Sequence, residues 1–382
     1  MLITRSLEKD IAKYLRGNTK KILFIWGPRR SGKTTLLKKI SEKLKTPIFN
    51  FDLLSARENF VPREENLKKL ISEHKIILID EVQSYPESTL ALKILTDQFN
   101  AKIIATGSSE LRKKSQDFDT LTGRYIESFC LPLSIEEVKN NSKTRSYQEE
   151  EFLRNLLEQS QIFGLYPEIF SFKGGESQKI ELLENILDSY VIKDIVDIYN
   201  LKNAKLAKDI LTKIALQLGS EVSIREIAGS LSANVETVAN YIEIFIKNYI
   251  LIPLPSFKTN LRRAVSENRK LFFYDLGIRN ALVKDFREVS LRPDKGGVFE
   301  NFILSEIEKS KRNYHTKFSS YFYREYSGKE VDLVVEDYKK NYISVEIKYS
   351  SEKAKRVFPL THQLRVINSQ NYFERIKELQ TH

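Results

Sequence analysis

Cysteine and histidine are scarce in this sequence. A single cysteine, Cys130, excludes an internal disulfide and a cysteine-based zinc cage. The four histidines are scattered and form no metal-binding pattern. No apolar run approaches the roughly 20 residues that span a bilayer, and charged residues interrupt every apolar window near the N-terminus, so a secretory signal is not expected. These absences predict a cytoplasmic protein with no membrane span.

The sequence has fewer acidic residues than basic ones. The chain has 62 lysine and arginine residues against 51 aspartate and glutamate residues, which gives a net charge of +11. Excess positive charge favours polyanionic partners, of which nucleic acid is the commonest. The alternative is a lysine-rich protein that binds no DNA. With 382 residues the chain is too long for one typical core, so two or three domains are expected.

The first motif that is present is a phosphate loop. Residues 27–34 read GPRRSGKT, between the apolar run KILFIW (21–26) and TLLKKISEKL (35–44), which has helical spacing. A strand, a glycine loop and a helix N-terminus place backbone N–H groups around phosphate oxygens. Lys33 is expected to reach the β- and γ-phosphates of ATP, and Thr34 to ligate Mg²⁺. The predicted nucleotide-binding residues are Gly27, Pro28, Arg29, Arg30, Ser31, Gly32, Lys33, Thr34 and Thr35.

Two further apolar runs end in polar residues. The run 75–83 ends with Asp80, predicted to hold Mg²⁺ through water, and Glu81, predicted to polarise the attacking water. The run 101–110 contains Ser108, predicted to sense the γ-phosphate. Arg124 is either an arginine finger for the nucleotide of a neighbouring subunit in a homo-oligomer, or the partner in a local salt bridge. The predicted catalytic residues are Lys33, Glu81, Ser108 and Arg124.

These motifs carry a resemblance to a known family. GPRRSGKTTLL, LIDEVQ, ATGSS, LTGRY and LPLSIEE resemble the bacterial and archaeal AAA-type P-loop ATPases of the AAA+ superfamily that have a long, uncharacterised C-terminal domain. YPEIF, FFYDLGIRNAL, GGVFENFILSEI, EVDLVV and VEIK follow in the order expected for that family, so the resemblance covers nearly the whole chain. Arg30 departs from the family pattern, in which glutamine is frequent. That change leaves phosphate binding intact and adds positive charge beside the nucleotide.

The middle of the chain has the organisation of a winged helix-turn-helix. Its predicted recognition helix exposes Glu236, Asn240, Glu243 and Lys247, a face that is not basic, so direct reading of the major groove is disfavoured. Ser223 is a candidate cap for the helix before it. The basic segment that follows is either a DNA contact or a solvated loop. Its predicted contact residues are Lys258, Arg262, Arg263, Arg269 and Lys270.

Near the C-terminus two alternating runs flank a short polar turn. EVDLVVE (330–336) and ISVEIKYS (343–350) have the period of strands, and pairing them puts Asp332, Glu346 and Lys348 on one face. A PD-(D/E)xK nuclease needs this arrangement, because two carboxylates hold Mg²⁺ and a lysine positions the attacking water. Glu300, on a preceding predicted helix, would join the site. The alternatives are an ordinary hairpin, or a nuclease-like fold that persists as a binding or assembly platform.

Together these features predict an α/β protein in four parts. They are a P-loop AAA+-type ATPase domain (1–140), a helical linker (141–204), a winged helix-turn-helix domain (205–290) and a restriction-endonuclease-like domain (291–382). The first functional hypothesis is a Mg²⁺-dependent ATPase that acts on DNA, with nucleotide state controlling DNA binding, remodelling or cleavage. The alternatives are a slow ATP-dependent molecular switch and a protein-remodelling ATPase, each with a catalytically inactive C-terminal platform.

Overall fold

The computed structural model describes two compact units. It covers residues 3–380 except 86, 109–119, 200, 202, 259–268, 326, 351–352 and 355. The N-terminal unit comprises Thr4–Leu131 and Lys247–Tyr249, and the C-terminal unit comprises Met1–Ile3, Pro132–Ile246 and Ile250–His382. The finer division into four domains stays a prediction. None of the described helices is long and apolar enough to cross a membrane.

A five-stranded parallel sheet forms the centre of the N-terminal unit. The strands stand in the order β2-β3-β4-β1-β5. They are β1 (Ile22–Trp26), β2 (Ile48–Asn50), β3 (Ile76–Asp80), β4 (Lys102–Gly107) and β5 (Tyr125–Phe129). β1 is wholly buried, and β3 and β4 nearly so. This burial explains why these strands appear in the sequence as continuous apolar runs.

The longer described helices of the N-terminal unit each bury an apolar face. The second of them buries Leu36, Leu37 and Ile40 in a cluster that includes Leu23 and Ile25 of β1, so its apolar stripe fixes the helix beside the strand that precedes it. The helices are α1 (Glu8–Arg16), α2 (Lys33–Leu44), α3 (Leu54–Glu58), α4 (Glu64–Glu73) and α5 (Ser88–Asp97), with a 3₁₀ turn at Val82–Ser84.

The C-terminal unit begins with a run of helices. Ser223 Oγ accepts a hydrogen bond from Glu226 N (3.2 Å), so the predicted cap is confirmed. A π-helical segment, Leu187–Asp194, joins two helices of the run. The helices are α6 (Ile135–Asn141), α7 (Glu149–Phe163), α8 (Pro167–Ser171), α9 (Glu176–Ile186), α10 (Ile195–Ile198), α11 (Ala204–Ala215), α12 (Ile224–Ser230), α13 (Val235–Lys247), α14 (Leu276–Val283), α15 (Lys295–Tyr314) and α16 (Tyr372–Leu379).

Two sheets complete the C-terminal unit. An antiparallel pair follows α13, and a mixed four-stranded sheet stands in the order β11-β10-β9-β8, with only β10 and β11 parallel. The strands are β6 (Leu251–Pro255), β7 (Arg269–Phe273), β8 (Phe318–Arg324), β9 (Glu330–Asp337), β10 (Tyr342–Ile347) and β11 (Gln363–Ile367). β9 and β10 pair with Leu333 opposite Val345, which confirms the predicted hairpin.

Candidate functional site

The loop after β1 leads directly into α2. A Cβ atom on Gly27 would lie 2.0 Å from the Cys130 carbonyl oxygen, so only glycine fits at this position. Gly32 has a left-handed φ of 98°, and α2 begins at the next residue, Lys33. The first N–H groups of a helix have no partner within the helix and carry a partial positive charge. The loop therefore has the backbone geometry of an anion site.

The loop is anchored to the rest of the N-terminal unit by residues outside the motif. The buried Arg5 donates from Nη1 to Ser31 O (2.8 Å) and from Nη2 to Leu131 O (2.6 Å). The buried Cys130 thiol donates to the same Ser31 carbonyl oxygen (3.3 Å). No sequence motif marks Arg5, because its contacts lie far along the chain. These bonds fix the backbone that would surround a phosphate group.

Lys33 lies inside the loop. Its side chain is buried, and Nζ donates to Gly27 O (2.9 Å) and Pro28 O (2.8 Å). Burial lowers the pKa of Lys33, while the nearby carboxylates of Glu81 and Asp80 oppose that shift. Two neutral carbonyl groups thus hold a buried ammonium group. A phosphate would offer the same ammonium a charged acceptor, which makes a stronger hydrogen bond.

The predicted Mg²⁺ ligands are in direct contact. The buried Asp80 accepts a hydrogen bond from Thr34 Oγ1 at Oδ2 (2.8 Å) and another from the Thr106 hydroxyl at Oδ1. Ser108 Oγ is buried and has no hydrogen-bond partner within the described part of the chain. Carboxylate and hydroxyl oxygens are the donors that Mg²⁺ takes, with the remaining positions left to phosphate and water. The residues present therefore fit MgATP.

Glu81 is held by a residue that the motifs did not indicate. Its carboxylate accepts a hydrogen bond from the Gln83 side-chain amide, and Gln83 Oε1 accepts one from Ser108 N at 3.4 Å. Glu81 has a left-handed φ of 52°, so the chain turns sharply at the end of β3. Gln83 thus connects the predicted water-polarising residue with the predicted γ-phosphate sensor. Both lie at the carboxyl edge of the sheet, beside the phosphate loop.

Arg124 takes part in a local ion pair. Its Nε lies 2.7 Å from Asp97 Oδ1, and Nη1 donates to Thr120 O at 3.1 Å. Of the two alternatives that the sequence left open, the local salt bridge is the one present in the structure. The role of Arg124 as a finger for another subunit stays a prediction.

Family models match three successive parts of the chain. Residues 19–139 match an AAA domain. The N-terminal part of the chain contains an AAA domain. Residues 154–289 and 295–373 each match a domain of unknown function. The match to the AAA domain spans β1 to β5 and every predicted nucleotide-site residue.

Several known proteins resemble the chain. An uncharacterised protein of Methanocaldococcus jannaschii is 29% identical over 357 residues, which are 89% of this chain and 77% of that protein. An uncharacterised protein of Haemophilus influenzae is 25% identical over 276 residues, 68% of each chain. Among solved structures, the Thermotoga maritima RuvB Holliday junction branch migration motor is 16% identical, with a TM-score of 0.31 over 66% of this chain and 90% of that one. So low a TM-score carries no argument about function.

The C-terminal unit brings together three of the four predicted nuclease residues. Lys348 Nζ lies 3.1 Å from Glu346 Oε2 and 3.5 Å from Asp332 Oδ2. Asp332 Oδ2 also accepts a hydrogen bond from Ile347 N (2.7 Å). Burial and the charge of Asp332 raise the pKa of Glu346. Burial lowers the pKa of Lys348, but the two carboxylates outweigh it, and the net shift is upward.

Glu300, the fourth of these residues, is paired with Lys270. Its Oε1 lies 3.0 Å from Lys270 Nζ, which also forms an ion pair with Glu330. The neighbouring Asn301 exchanges two hydrogen bonds of 2.8 Å with the Phe273 backbone, which holds α15 beside β7. The prediction that Lys270 contacts DNA is wrong. Its side chain is 1% exposed and its ammonium group is bound by two carboxylates.

The other predicted DNA contacts are only partly described. Arg269 Nη1 forms an ion pair with Glu243 Oε1 (2.7 Å), which reduces the charge it can offer to a phosphate. Lys258 lies half-buried just after β6, while Arg262 and Arg263 lie outside the described residues. The DNA role of this segment stays a prediction that rests on Lys258, Arg262 and Arg263.

The nuclease metal site at the acidic cluster of the C-terminal unit stays a prediction. Within the described ranges there is no group of three or more histidine, cysteine, aspartate or glutamate side chains placed to hold a metal ion. Lysine ammonium groups stand beside the carboxylates instead: Lys270 beside Glu300, and Lys348 beside Asp332 and Glu346. Each of these lysines is shared by two carboxylates, since Lys270 also pairs with Glu330, so the cluster keeps a net negative charge.

Glu300 is expected to make the stability of the C-terminal unit depend on pH. Burial, and to a smaller extent the charge of Asp332, raises the pKa of Glu300 from 4.5 to about 7, against the lowering effect of Lys270. A raised folded-state pKa contributes stability that is fully present below the unfolded pKa of 4.5 and is lost as the pH rises through about 7. Between pH 4.5 and about 7, the unfolding free energy of the wild type should therefore fall by roughly 3 kcal/mol relative to that of Glu300→Gln. Denaturant unfolding of both proteins at several pH values measures this difference. Plots of unfolding free energy against pH that run parallel for the two proteins would contradict it.

Proposed function

We propose that this protein binds MgATP at residues 27–34 and hydrolyses it. The observation that carries the proposal is the grouping of Lys33, Thr34 and Asp80, in a chain whose residues 19–139 match an AAA domain. A phosphate loop alone would support binding. The adjacent Glu81, held at the edge of the same sheet, supports hydrolysis.

Each residue of the site has a role in this proposal. Lys33 exchanges its bonds to Gly27 O and Pro28 O for bonds to the β- and γ-phosphates. Thr34 and Asp80 orient the Mg²⁺ ion, which neutralises charge on the phosphate oxygens when it is bound. Ser108 Oγ, buried and without a partner among the described residues, donates to the γ-phosphate.

Glu81 orients the attacking water. Its carboxylate accepts a hydrogen bond from Gln83 at Oε2, and its other oxygen can accept one from water. Since Gln83 also accepts from Ser108 N, a γ-phosphate bound at Ser108 would disturb the same pair of bonds. We infer that Gln83 restrains Glu81 until a nucleoside triphosphate is bound.

Replacing Glu81 by glutamine is expected to lower ATP turnover about a hundredfold and to leave nucleotide affinity within about threefold. The reason is that general-base assistance contributes 10²- to 10⁴-fold, whereas Glu81 adds little to ground-state binding. Steady-state turnover and equilibrium binding of a fluorescent ATP analogue measure the two effects. Glu87→Gln, an exposed residue nearby, is the matched control. Unchanged turnover in Glu81→Gln would reject this role.

The biological use of hydrolysis is proposed to be an action on DNA. Support comes from the net charge of +11 and from the basic residues Lys258, Arg262 and Arg263. The ion pair between Glu300 and Lys270 favours a second candidate, in which the C-terminal unit is a platform that does not cut and the protein is a nucleotide-dependent switch.

One experiment separates these two candidates. ATP turnover is measured in Mg²⁺ with and without single-stranded, duplex and branched DNA, and the DNA is then examined on gels for nicks. A rise in turnover with DNA, absent in Glu81→Gln, supports the action on DNA. Basal turnover that no DNA changes supports the switch. Nicks that disappear in Lys348→Ala would show that the acidic cluster cuts DNA and would reject the platform.

A further inference from the structure

A cavity lies in the C-terminal unit, and none of the predicted nucleotide-site residues lines it. Its volume is about 610 Å³, within the range of roughly 300–1,000 Å³ that is usual for small-ligand sites. The walls come from α7 and the turn before it, from residues 289–290, and from residues 349 and 369–372. No role in nucleotide chemistry accounts for this cavity.

Gln161 provides a buried donor in the wall of the cavity. The residue is 1% exposed, and its side-chain Nε2 has no hydrogen-bond partner within the described part of the chain. Leaving a buried amide donor without an acceptor costs about 1–3 kcal/mol. Buried donors of this kind are rare in native proteins, and a ligand is one of the explanations for them. The missing partner must be an acceptor, such as a carbonyl oxygen.

The charge of the cavity wall is negative. Glu150, Glu151 and Glu158 line it, against one basic residue, Arg154. Within the described residues none of these three glutamates has a basic side-chain nitrogen within 4.0 Å, although most acidic residues of the neighbouring sheet are paired. They are also not grouped closely enough to hold a metal ion. A cation whose charge is spread over a larger group fits this wall better than a compact ion.

Aromatic rings supply the remaining surface. Tyr147 is 74% exposed at the cavity, and Tyr349 lies across it with its ring against Phe299. Burial raises the pKa of Tyr349, and the charge of Glu158 raises it further, which places that carboxylate near the ring. Tyrosine faces attract ammonium and guanidinium groups, by about 0.5–1 kcal/mol where the ring is exposed. Glutamate and tyrosine together therefore select an organic cation.

We propose that this cavity binds an arginine or lysine residue of a basic peptide. The cationic side chain lies between Glu158, Glu151 and the ring of Tyr349, and the main-chain carbonyl oxygen of the same residue accepts a hydrogen bond from Gln161 Nε2. The peptide backbone explains why the site has a buried donor as well as negative charge. A simple polyamine would match the charge and leave Gln161 without a partner.

Calorimetric titration of the whole 382-residue chain tests the proposal with four probes. They are blocked arginine (N-acetyl-arginine N-methylamide), its neutral isostere blocked citrulline, spermidine, and a blocked tripeptide with arginine at its centre. Blocked arginine is expected to bind at least about tenfold more tightly than blocked citrulline and more tightly than spermidine. Equal binding of blocked citrulline would overturn the role of charge, and equal binding of spermidine would overturn the role of Gln161. If the tripeptide binds more tightly than blocked arginine, the ligand is supported as a peptide. If the two probes bind with equal affinity, the peptide is rejected in favour of a free small molecule.

Variants separate a binding role from a structural one. Glu158→Gln should weaken the binding of blocked arginine at least about fivefold. Glu151→Gln, a change at a more exposed residue, should do the same. Glu181→Gln, an exposed glutamate of α9 outside the cavity lining, should leave the affinity unchanged. Gln161→Met should weaken binding about fivefold without lowering the Tm, because the donor has no partner to lose in the free protein. A lower Tm with unchanged affinity would make Gln161 structural and reject the proposal.

Discussion

Lys33→Ala is expected to lower ATP turnover about a thousandfold and to weaken nucleotide binding. The ammonium group is already buried and hydrogen-bonded inside the loop, so most of the cost of removing it from water falls on folding and not on binding. A cation prepositioned beside the phosphates acts on the charge that develops in the transition state, and losing one such donor costs 10²- to 10³-fold. Turnover assays at saturating ATP and equilibrium binding measure the two effects.

Folding of this variant needs its own control. Removing the ammonium leaves Gly27 O and Pro28 O without their donor, and a net hydrogen bond is worth about 1 kcal/mol, so the Tm should fall by a few degrees at most. Lys38→Ala, an exposed lysine of the same helix, should leave turnover unchanged. A Lys33→Ala protein that is folded and keeps its turnover would show that hydrolysis occurs elsewhere.

Lys270→Met is expected to give the largest loss of stability, about 3–5 kcal/mol of unfolding free energy. The change leaves Glu300, itself almost fully buried, and Glu330 without the cation that binds both. The pKa of Glu300 should then rise above its value of about 7, because Lys270 is the strongest influence that lowers it. Denaturant unfolding at pH 7 measures the loss.

A double variant isolates the interaction between these two residues. Lys270→Met with Glu300→Gln removes the cation and the buried carboxylate together, and should recover part of the stability that Lys270→Met loses. Lys205→Met, on the exposed face of α11, is the matched surface control and should change the unfolding free energy by less than about 0.5 kcal/mol. A loss below about 1 kcal/mol in Lys270→Met would show that the ion pairs are not stabilising.

The nucleotide site could be predicted from the sequence because its geometry is local. Gly27, Gly32 and Lys33 lie within one turn between a strand and a helix. Asp80 is the last residue of another strand, β3, whose apolar character identifies it as buried, and parallel strands bring their carboxyl ends to the same edge of the sheet. The approach of Asp332, Glu346 and Lys348 was predictable for a similar reason, since period-two alternation fixes which side chains share a face.

Long-range contacts were not predictable in this way. Lys270 occurs in a basic stretch of sequence, which predicts an exposed side chain. Its burial depends on Glu300 and Glu330, which approach it only through tertiary packing. Arg5 lies before the first helix, and nothing in its neighbourhood points to the loop carbonyl that it binds. The cavity beside Gln161 is formed by distant segments of the chain, none of which carries a motif.

The position of β1 in the centre of its sheet has a consequence for synthesis on the ribosome. β1 is the first strand to be made, but its neighbours β4 and β5 end at Gly107 and Phe129, up to about 100 residues later. At the usual 5–20 residues per second, the nascent chain carries the apolar segment ILFIW without either partner for roughly 4–16 s. During that interval the segment is a target for chaperones and for aggregation, and the order of strands in the finished sheet sets how long the risk lasts.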